Sequence, residues 1–201
     1  MALSGAALGP LLDGYHSAFG VLRYTVPKQV VVGNIFICET DYWVPPMFAL
    51  AAVILGVTYP VLDHVFKVPS KDRLPSGPAI LTCISYFTLQ YYMSGLLTSN
   101  GIDRISLHAF LSVTATYCWY AFDRTATGAV MAFITGTAGP GVELALLHGY
   151  PVLFGADLYH YNSPDFFGIP LWIAWVYACG APAVGGLARG LWNALEEAAE
   201  E

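Results

Sequence analysis

The stretch "YHYNSPDFFGIPLWIAWVYACGAPAVGGLARG", residues 159–190, decides the fold of this chain. Its part at 167–188 is apolar and carries no charge, and about 20 mostly apolar residues suffice for a helix to cross a bilayer. The polar turn Asn-Ser-Pro-Asp precedes this run; proline fixes φ there, and short polar side chains satisfy free backbone donors at a helix start. The stretch predicts a membrane-spanning helix that begins just after Asp165.

Small residues dominate the second half of the same run: Gly180, Ala181, Ala183, Gly185 and Gly186. Small side chains allow a neighbouring helix to approach closely where lipid competes for apolar surface. We therefore expect this helix to pack tightly inside a bundle, with Arg189 anchoring its inner end.

The composition of the whole chain favours a membrane protein. Of its 201 residues, 56% are hydrophobic and 11% are charged, against about 25% charged in soluble proteins. The mean hydropathy is +0.57. Part of the net charge of −6 comes from glutamates at the C-terminal end, which indicate a solvated tail, and nucleic acid is not an expected partner.

Other apolar segments are long enough, or nearly so, to span a bilayer: 44–63, 78–98, 105–121 and 126–151. Residues 4–37 are compatible with a poor spanning helix, an interfacial helix or the remnant of a longer helix. We predict an all-α polytopic transmembrane helix bundle with five to six spanning helices.

Basic residues suggest the orientation of this bundle, because Lys and Arg favour the cytoplasmic side of short loops. Five of them fall on one side if the 64–77 connection is cytosolic: Lys67, Lys71, Arg73, Arg124 and Arg189. The opposite loops, 99–104 and 152–166, contain only Arg104. We therefore expect the C-terminus to lie in the cytosol.

Chemistry-bearing residues are few. Glu143 is an ionisable group in an apolar segment, and such groups are functional candidates. Glu143 could have a structural role, or it could bind a ligand or act in catalysis. His148, Asp157 and His160 are its possible neighbours. The four cysteines lack the spacing of metal ligands, so we expect them to be packed thiols. The sequence contains no recognisable catalytic motif and predicts no metal or cofactor.

Asp123 and Arg124 stand at the inner end of the fourth apolar segment, in "WYAFDRTATG", residues 119–128. Arg124 fits the orientation rule. A carboxylate is disfavoured at a helix C-terminus by the dipole, so Asp123 needs another explanation. It could pair with Arg124, cap the next helix in competition with Thr125 and Thr127, or offer an exposed anion to a partner.

Three motifs in register resemble the Insig family of sterol-regulatory proteins of the endoplasmic reticulum. They are "DYWVPPMFALAAVILGVTYPVLD" (41–63), "WYAFDRTATG" (119–128) and the stretch at 159–189. Within them, the matching residues include Trp43-Val44-Pro45-Pro46, Tyr59-Pro60 with Asp63, Phe122-Asp123-Arg124 and Ser163-Pro164-Asp165-Phe166. The resemblance covers roughly residues 41–190. It divides the chain into an N-terminal segment (1–40), an Insig-like bundle (41–190) and an acidic tail (191–201).

The resemblance implies six spanning helices in the endoplasmic-reticulum membrane and a pocket for a sterol or oxysterol. It also implies membrane partners with a sterol-sensing domain, of the Scap or HMG-CoA reductase type. Asp123, with Arg124, would serve partner binding. Phe87 and Tyr91 would contribute to the sterol pocket, with Glu143 nearby. The chain departs from the family in its first 40 residues, in a longer segment between Asp123 and Ser163, and in its tail.

Two functions follow as hypotheses. The first is a non-catalytic membrane regulator that binds a sterol-like lipid and a partner bundle. The second is a small integral-membrane enzyme that acts on an isoprenoid or another lipid through Glu143. The absence of a catalytic motif favours the regulator, and the unusual Glu143 segment favours the enzyme.

Overall fold

The computed structural model describes residues 1–69 and 72–200, except the side chain of Glu200; Lys71 and Glu201 lie outside the described residues. The helices are α1 (Ala2–Ala18), α2 (Val44–Val65), α3 (Gly77–Ser99), α4 (Arg104–Phe122), α5 (Ala126–Leu144), α6 (Tyr150–Phe154) and α7 (Ile173–Glu200). The strands are β1 (Leu22–Tyr24), β2 (Lys28–Val32), β3 (Ile35–Thr40) and β4 (Tyr159–Tyr161). A π-helical turn, Ala145–Gly149, joins α5 to α6.

Local chemistry explains where several helices begin. The side chains of Ser76, Asp103 and Thr125 each accept a hydrogen bond from the backbone N–H three residues later, at 3.0 to 3.3 Å. These bonds satisfy donors that a helix start leaves free. Among the competing caps for α5, Thr125 is the one used.

Helix α7 is the centre of the bundle and packs against α2, α3, α4 and α5. A Cβ atom placed at Gly180 would lie 2.9 Å from the Phe87 ring of α3, and one at Gly185 would lie 2.3 Å from the Tyr59 ring of α2. Both aromatic rings therefore rest against bare helix backbone. The predicted close packing of the small residues is confirmed.

The predicted start of α7 is wrong by several residues. The helix begins at Ile173 and not after Asp165, because 162–172 form a loop. Phe167 and Gly168 have φ values of +46° and +93°, and the residue before Pro170 is restricted to extended backbone. Asp165 holds this loop by accepting a hydrogen bond from the Leu171 backbone N–H at 2.6 Å.

The all-α prediction holds for most of the chain but fails at 22–40 and at 159–161. Strand β1 pairs antiparallel with β4, and β2 with β3 forms a separate hairpin. Helix α1 stops at Ala18, just before Gly20 with φ +68°. Its 17 residues extend about 25 Å, less than the roughly 30 Å of a bilayer core.

Two helices of the described chain are long and apolar enough to cross a membrane by length and composition. They are Val44–Val65, with mean hydropathy 1.8, and the continuous run Ala126–Phe154, with mean hydropathy 1.5. Most residues of both helices are not buried, and α2 exposes Leu50, Ile54 and Val57. An apolar helix that faces outward is typical of a lipid-exposed surface, whereas the core helix of a soluble protein would be covered.

The two ends of the bundle differ in their residues. At one end, Arg189 of α7 contacts Asp63 of α2 and Asp123 at the end of α4. At the other end, Arg104 pairs with Asp165 at 3.1 Å, and β1 pairs with β4. Arg104 thus lies at the end of the bundle opposite Arg124 and Arg189.

Candidate functional site

Two adjoining cavities lie between the helices. The first has a volume of about 260 Å³ and is walled by α1, α2, α5 and α7 together with β1 and β4; we name it the carboxylate cavity, because Asp13 and Glu143 line it. The second has about 130 Å³, is lined almost entirely by apolar atoms, and is named the aliphatic cavity. The cavities share four wall residues: Phe48, Ala51, Thr135 and Tyr177.

Tyrosines surround the acidic end of the carboxylate cavity. Glu143, only 8% exposed, accepts hydrogen bonds from the hydroxyls of Tyr159 and Tyr177. Asp13 accepts one from Tyr24. Burial, followed by the neighbouring carboxylates, raises the pKa of Tyr24 and of Tyr159 far above the usual range, so both phenols stay protonated as donors.

The predicted sterol-binding residues fall on these two cavities. Glu143 lines the carboxylate cavity, and Phe87 and Tyr91 line the aliphatic cavity. The three residues come from α3 and α5, so only the folded bundle brings them to adjoining walls.

The proposed helpers of Glu143 lie elsewhere. His148 makes a 2.8 Å hydrogen bond to the carbonyl oxygen of Phe167. Asp157 and His160 are exposed, and His160 points away from the buried face that Tyr159 and Tyr161 share on β4. Glu143 and His148 are five residues apart, which puts them on different faces of a regular α-helix. The π-helical turn at Ala145–Gly149 makes the helix irregular there, yet the hydrogen-bond partners of Glu143 are tyrosines.

Several residues of the carboxylate cavity were not predicted from the sequence, among them Asp13, Tyr24, Trp43, Tyr159 and Tyr177. Trp43 stacks on Tyr159 with ring centroids 5.6 Å apart. Asp13 and Tyr24 belong to the N-terminal segment, for which a helix was one expectation but strands were not predicted. A usable signal was the Gly5-x-x-x-Gly9 spacing, because both glycines let α1 lie directly on Phe48 of α2.

A second site is the buried ion cluster at the Arg189 end, which we name the inner cluster. Arg189 donates to the Asp63 carboxylate from Nε at 2.8 Å and from Nη2 at 2.9 Å. Its Nη1 lies 3.2 Å from Asp123 Oδ1, and its Nη2 donates to Thr125 Oγ1 at 3.1 Å. One guanidinium thus ties α2, α7 and the α4–α5 junction together.

The structure corrects two readings of Asp123. Its side chain is 1% exposed, so it is not an exposed anion, and its cationic partner is Arg189 and not Arg124. Arg124, at φ +57°, lies over the Tyr120 ring at 4.1 Å and remains exposed. Sequence proximity misled the pairing, because the fold brings a distant arginine to Asp123 and turns the adjacent one outward.

A helical bundle with two long, apolar and largely unburied helices indicates the class of helical membrane proteins. No family model matches the chain. The chain is 27% identical over 169 residues to the insulin-induced gene 1 proteins of Xenopus tropicalis and of Homo sapiens, and 28% identical to that of Mus musculus. Each match covers 83% of this chain but only 62%, 56% and 60% of the relative.

A solved structure supports the fold. The crystal structure of MvINS, an Insig homologue from Mycobacterium vanbaalenii, matches 93% of this chain and 90% of its own with a TM-score of 0.68 and 20% identity. A cross-linked trimer of an MvINS variant matches equally well. The resemblance of this chain to the Insig family is thereby confirmed, in sequence and in fold.

Proposed function

We propose that this protein is a non-catalytic membrane regulator that binds a sterol-like lipid in the two cavities and engages a second membrane protein near the inner cluster. The observation that carries the proposal is the pair of adjoining cavities, which the Insig-like bundle forms from Phe87, Tyr91 and Glu143. Sterol regulation in the endoplasmic reticulum is part of the proposal. Residues 41–190 would supply five spanning helices, residues 1–40 a divergent or truncated first one, and residues 191–201 a cytosolic tail.

The shape of the cavities supports a lipid with one polar end. The aliphatic cavity offers nonpolar side chains, which can pack closely against a lipid's hydrocarbon. The carboxylate cavity offers acceptors that can bind a hydroxyl donor. A sterol, apolar except for its hydroxyl groups, suits such a site.

Partner binding is proposed at the exposed surface beside the inner cluster. Arg124 is exposed there and held over Tyr120, whereas Asp123 is buried and fixes the backbone that presents Arg124. A sterol-sensing-domain protein of the Scap or HMG-CoA reductase type is the partner that the Insig likeness suggests. Asp123 then acts on the partner through Arg124 and the α4–α5 turn.

Oxysterol binding to the purified protein tests the proposal. Ala51 lies on the shared wall of both cavities, so Ala51→Trp should fill the site and reduce oxysterol affinity at least about tenfold. Leu50→Trp is the matched control, because Leu50 is exposed on the outside of α2. Equal affinity of the two variants would contradict binding in these cavities.

A lipid-modifying enzyme is the second candidate, and the burial of Glu143 against two tyrosines is the observation that favours it. Glu143→Gln keeps the shape of the side chain but cannot exchange a proton. Turnover of an isoprenoid or lipid that disappears in this variant would establish the enzyme and overturn the regulator.

A further inference from the structure

The carboxylate cavity has an unusual charge balance. Two acids, Asp13 and Glu143, line it, whereas none of its described lining residues is Lys, Arg or His. Buried carboxylates require hydrogen bonds or a counter-charge. The tyrosine hydroxyls supply hydrogen bonds, but the cavity walls supply no positive charge.

Two further polar groups of this cavity lack a partner among the described residues. Tyr161 is 5% exposed, and its buried hydroxyl makes no hydrogen bond of ordinary geometry with a described residue. The indole Nε1 of Trp43 is also buried without a partner. Buried donors and acceptors are normally satisfied, so these two groups are available to the atoms of a ligand in the cavity.

Three aromatic residues line the cavity together with the two acids. Trp43 stacks on Tyr159 at 5.6 Å, and Tyr24 meets Trp43 edge-on at 6.2 Å. Faces of Trp and Tyr attract cations, including quaternary and substituted ammonium groups. The same wall therefore combines carboxylates with aromatic faces, the two features that bind an ammonium group.

We propose that the carboxylate cavity binds a lipid whose head group is a protonated amine next to a hydroxyl. The proposal rests on the proposed function, since it names the lipid class for the same cavities. The ammonium group donates to Glu143, to Asp13 and to the Tyr161 oxygen, which uses its three donors. The hydroxyl oxygen accepts from Trp43 Nε1. A neutral alcohol can bind one of the two carboxylates, whereas an ammonium group has donors for both.

The position of Glu143 along α5 fits a head group. It stands 17 residues after Ala126, about 26 Å from the inner end of the helix at 1.5 Å per residue. This depth is close to the opposite face of a bilayer core of roughly 30 Å. The amine thus lies near the interface, and the hydrocarbon chain extends inward past Tyr177 to the aliphatic cavity.

Binding of two matched lipids to the purified protein tests the proposal. Sphingosine carries the amine and the hydroxyl, and N-acetylsphingosine keeps the chain but replaces the amine with a neutral amide. We expect sphingosine to bind at least about tenfold more tightly, and this preference to disappear in Glu143→Gln. Glu196→Gln, an exposed position, controls for general attraction to the acidic protein and should keep the preference.

The outcomes separate this inference from the proposed function. Oxysterol binding without any preference for the amine overturns the inference and leaves the sterol regulator intact. A preference that Glu143→Gln removes supports the inference whether or not oxysterol binds. Absence of binding by all three lipids overturns both. Asp13→Asn, checked for an unchanged melting temperature, replaces Glu143→Gln if that variant does not fold.

Discussion

Arg189 on α7 binds Asp63 on α2 through two parallel hydrogen bonds of 2.8 and 2.9 Å, with both side chains at most 5% exposed. The two residues are 126 positions apart in sequence, so the contact closes the bundle between its second and its last helix. Asp123 provides a second carboxylate to the same guanidinium at 3.2 Å. Bidentate pairs of this kind give geometric specificity as well as energy.

Removal of the arginine should destabilise the protein strongly. Arg189→Met leaves Asp63 and Asp123 buried without their counter-charge, and breaking a buried ion pair costs about 3–5 kcal/mol. Thermal unfolding in detergent measures the loss. Arg124→Met is the control, because Arg124 is exposed and should change stability by less than about 1 kcal/mol. Equal melting temperatures of the two variants would contradict the role of the inner cluster.

Substitutions of the adjacent residues Asp123 and Arg124 should differ in their effects on partner binding and on stability. Arg124→Ala is expected to weaken recovery of a sterol-sensing-domain partner with little change in melting temperature, because the side chain is exposed. Asp123→Ala should lower both, since Asp123 is buried against Arg189. Co-precipitation and thermal unfolding on the same preparations check this pattern. An Arg124→Ala variant that recovers the partner normally would exclude this surface as the interface.

Close packing of α7 on α2 predicts a contrast between neighbouring glycines. Gly185→Ala places a methyl group 2.3 Å from the Tyr59 ring and should cost about 1–3 kcal/mol of stability. Gly186→Ala places it 3.8 Å from Ile80, an ordinary contact, and should be neutral or stabilising by up to about 1 kcal/mol. Similar melting temperatures for both variants would show that the Tyr59 contact does not limit helix approach.

The orientation in the membrane can be measured with introduced cysteines. All four native cysteines are buried free thiols, so they should react slowly with a membrane-impermeant reagent. Cysteines at Leu74 and His160, both exposed and near opposite ends of the bundle, should react from opposite sides. Labelling of both from one side would contradict the predicted topology.

The long apolar elements were predictable from the sequence, and the site only in part. Helices α2, α3 and α4 begin and end within two residues of the predicted spans, because polar or turn-forming residues flank each of these segments. The strands at 22–40 and the delayed start of α7 depend on single turn residues and on β1–β4 pairing between distant segments. Those contacts are tertiary and leave little trace in local sequence.

The contacts of Asp123 also could not be predicted from local sequence. Asp63, Asp123 and Arg189 each belong to a motif that resembles the Insig family, so each could be marked as a candidate separately. Their mutual contact requires α7 to cross α2 beside the α4–α5 junction, which no local pattern reports. The residues were therefore predictable, whereas their relationship was not.

Photo-crosslinking of an oxysterol to the protein in native membrane tests the central claim, that the two cavities bind the lipid. Labelled peptides, mapped by mass spectrometry, should contain residues that line the cavities, with Phe87, Tyr91 and Tyr177 as the expected positions. An excess of unlabelled oxysterol should remove the labelling, and Ala51→Trp should reduce it. Labelling confined to the outer face of α2, at Leu50 and Val57, or labelling that does not saturate, would contradict the account.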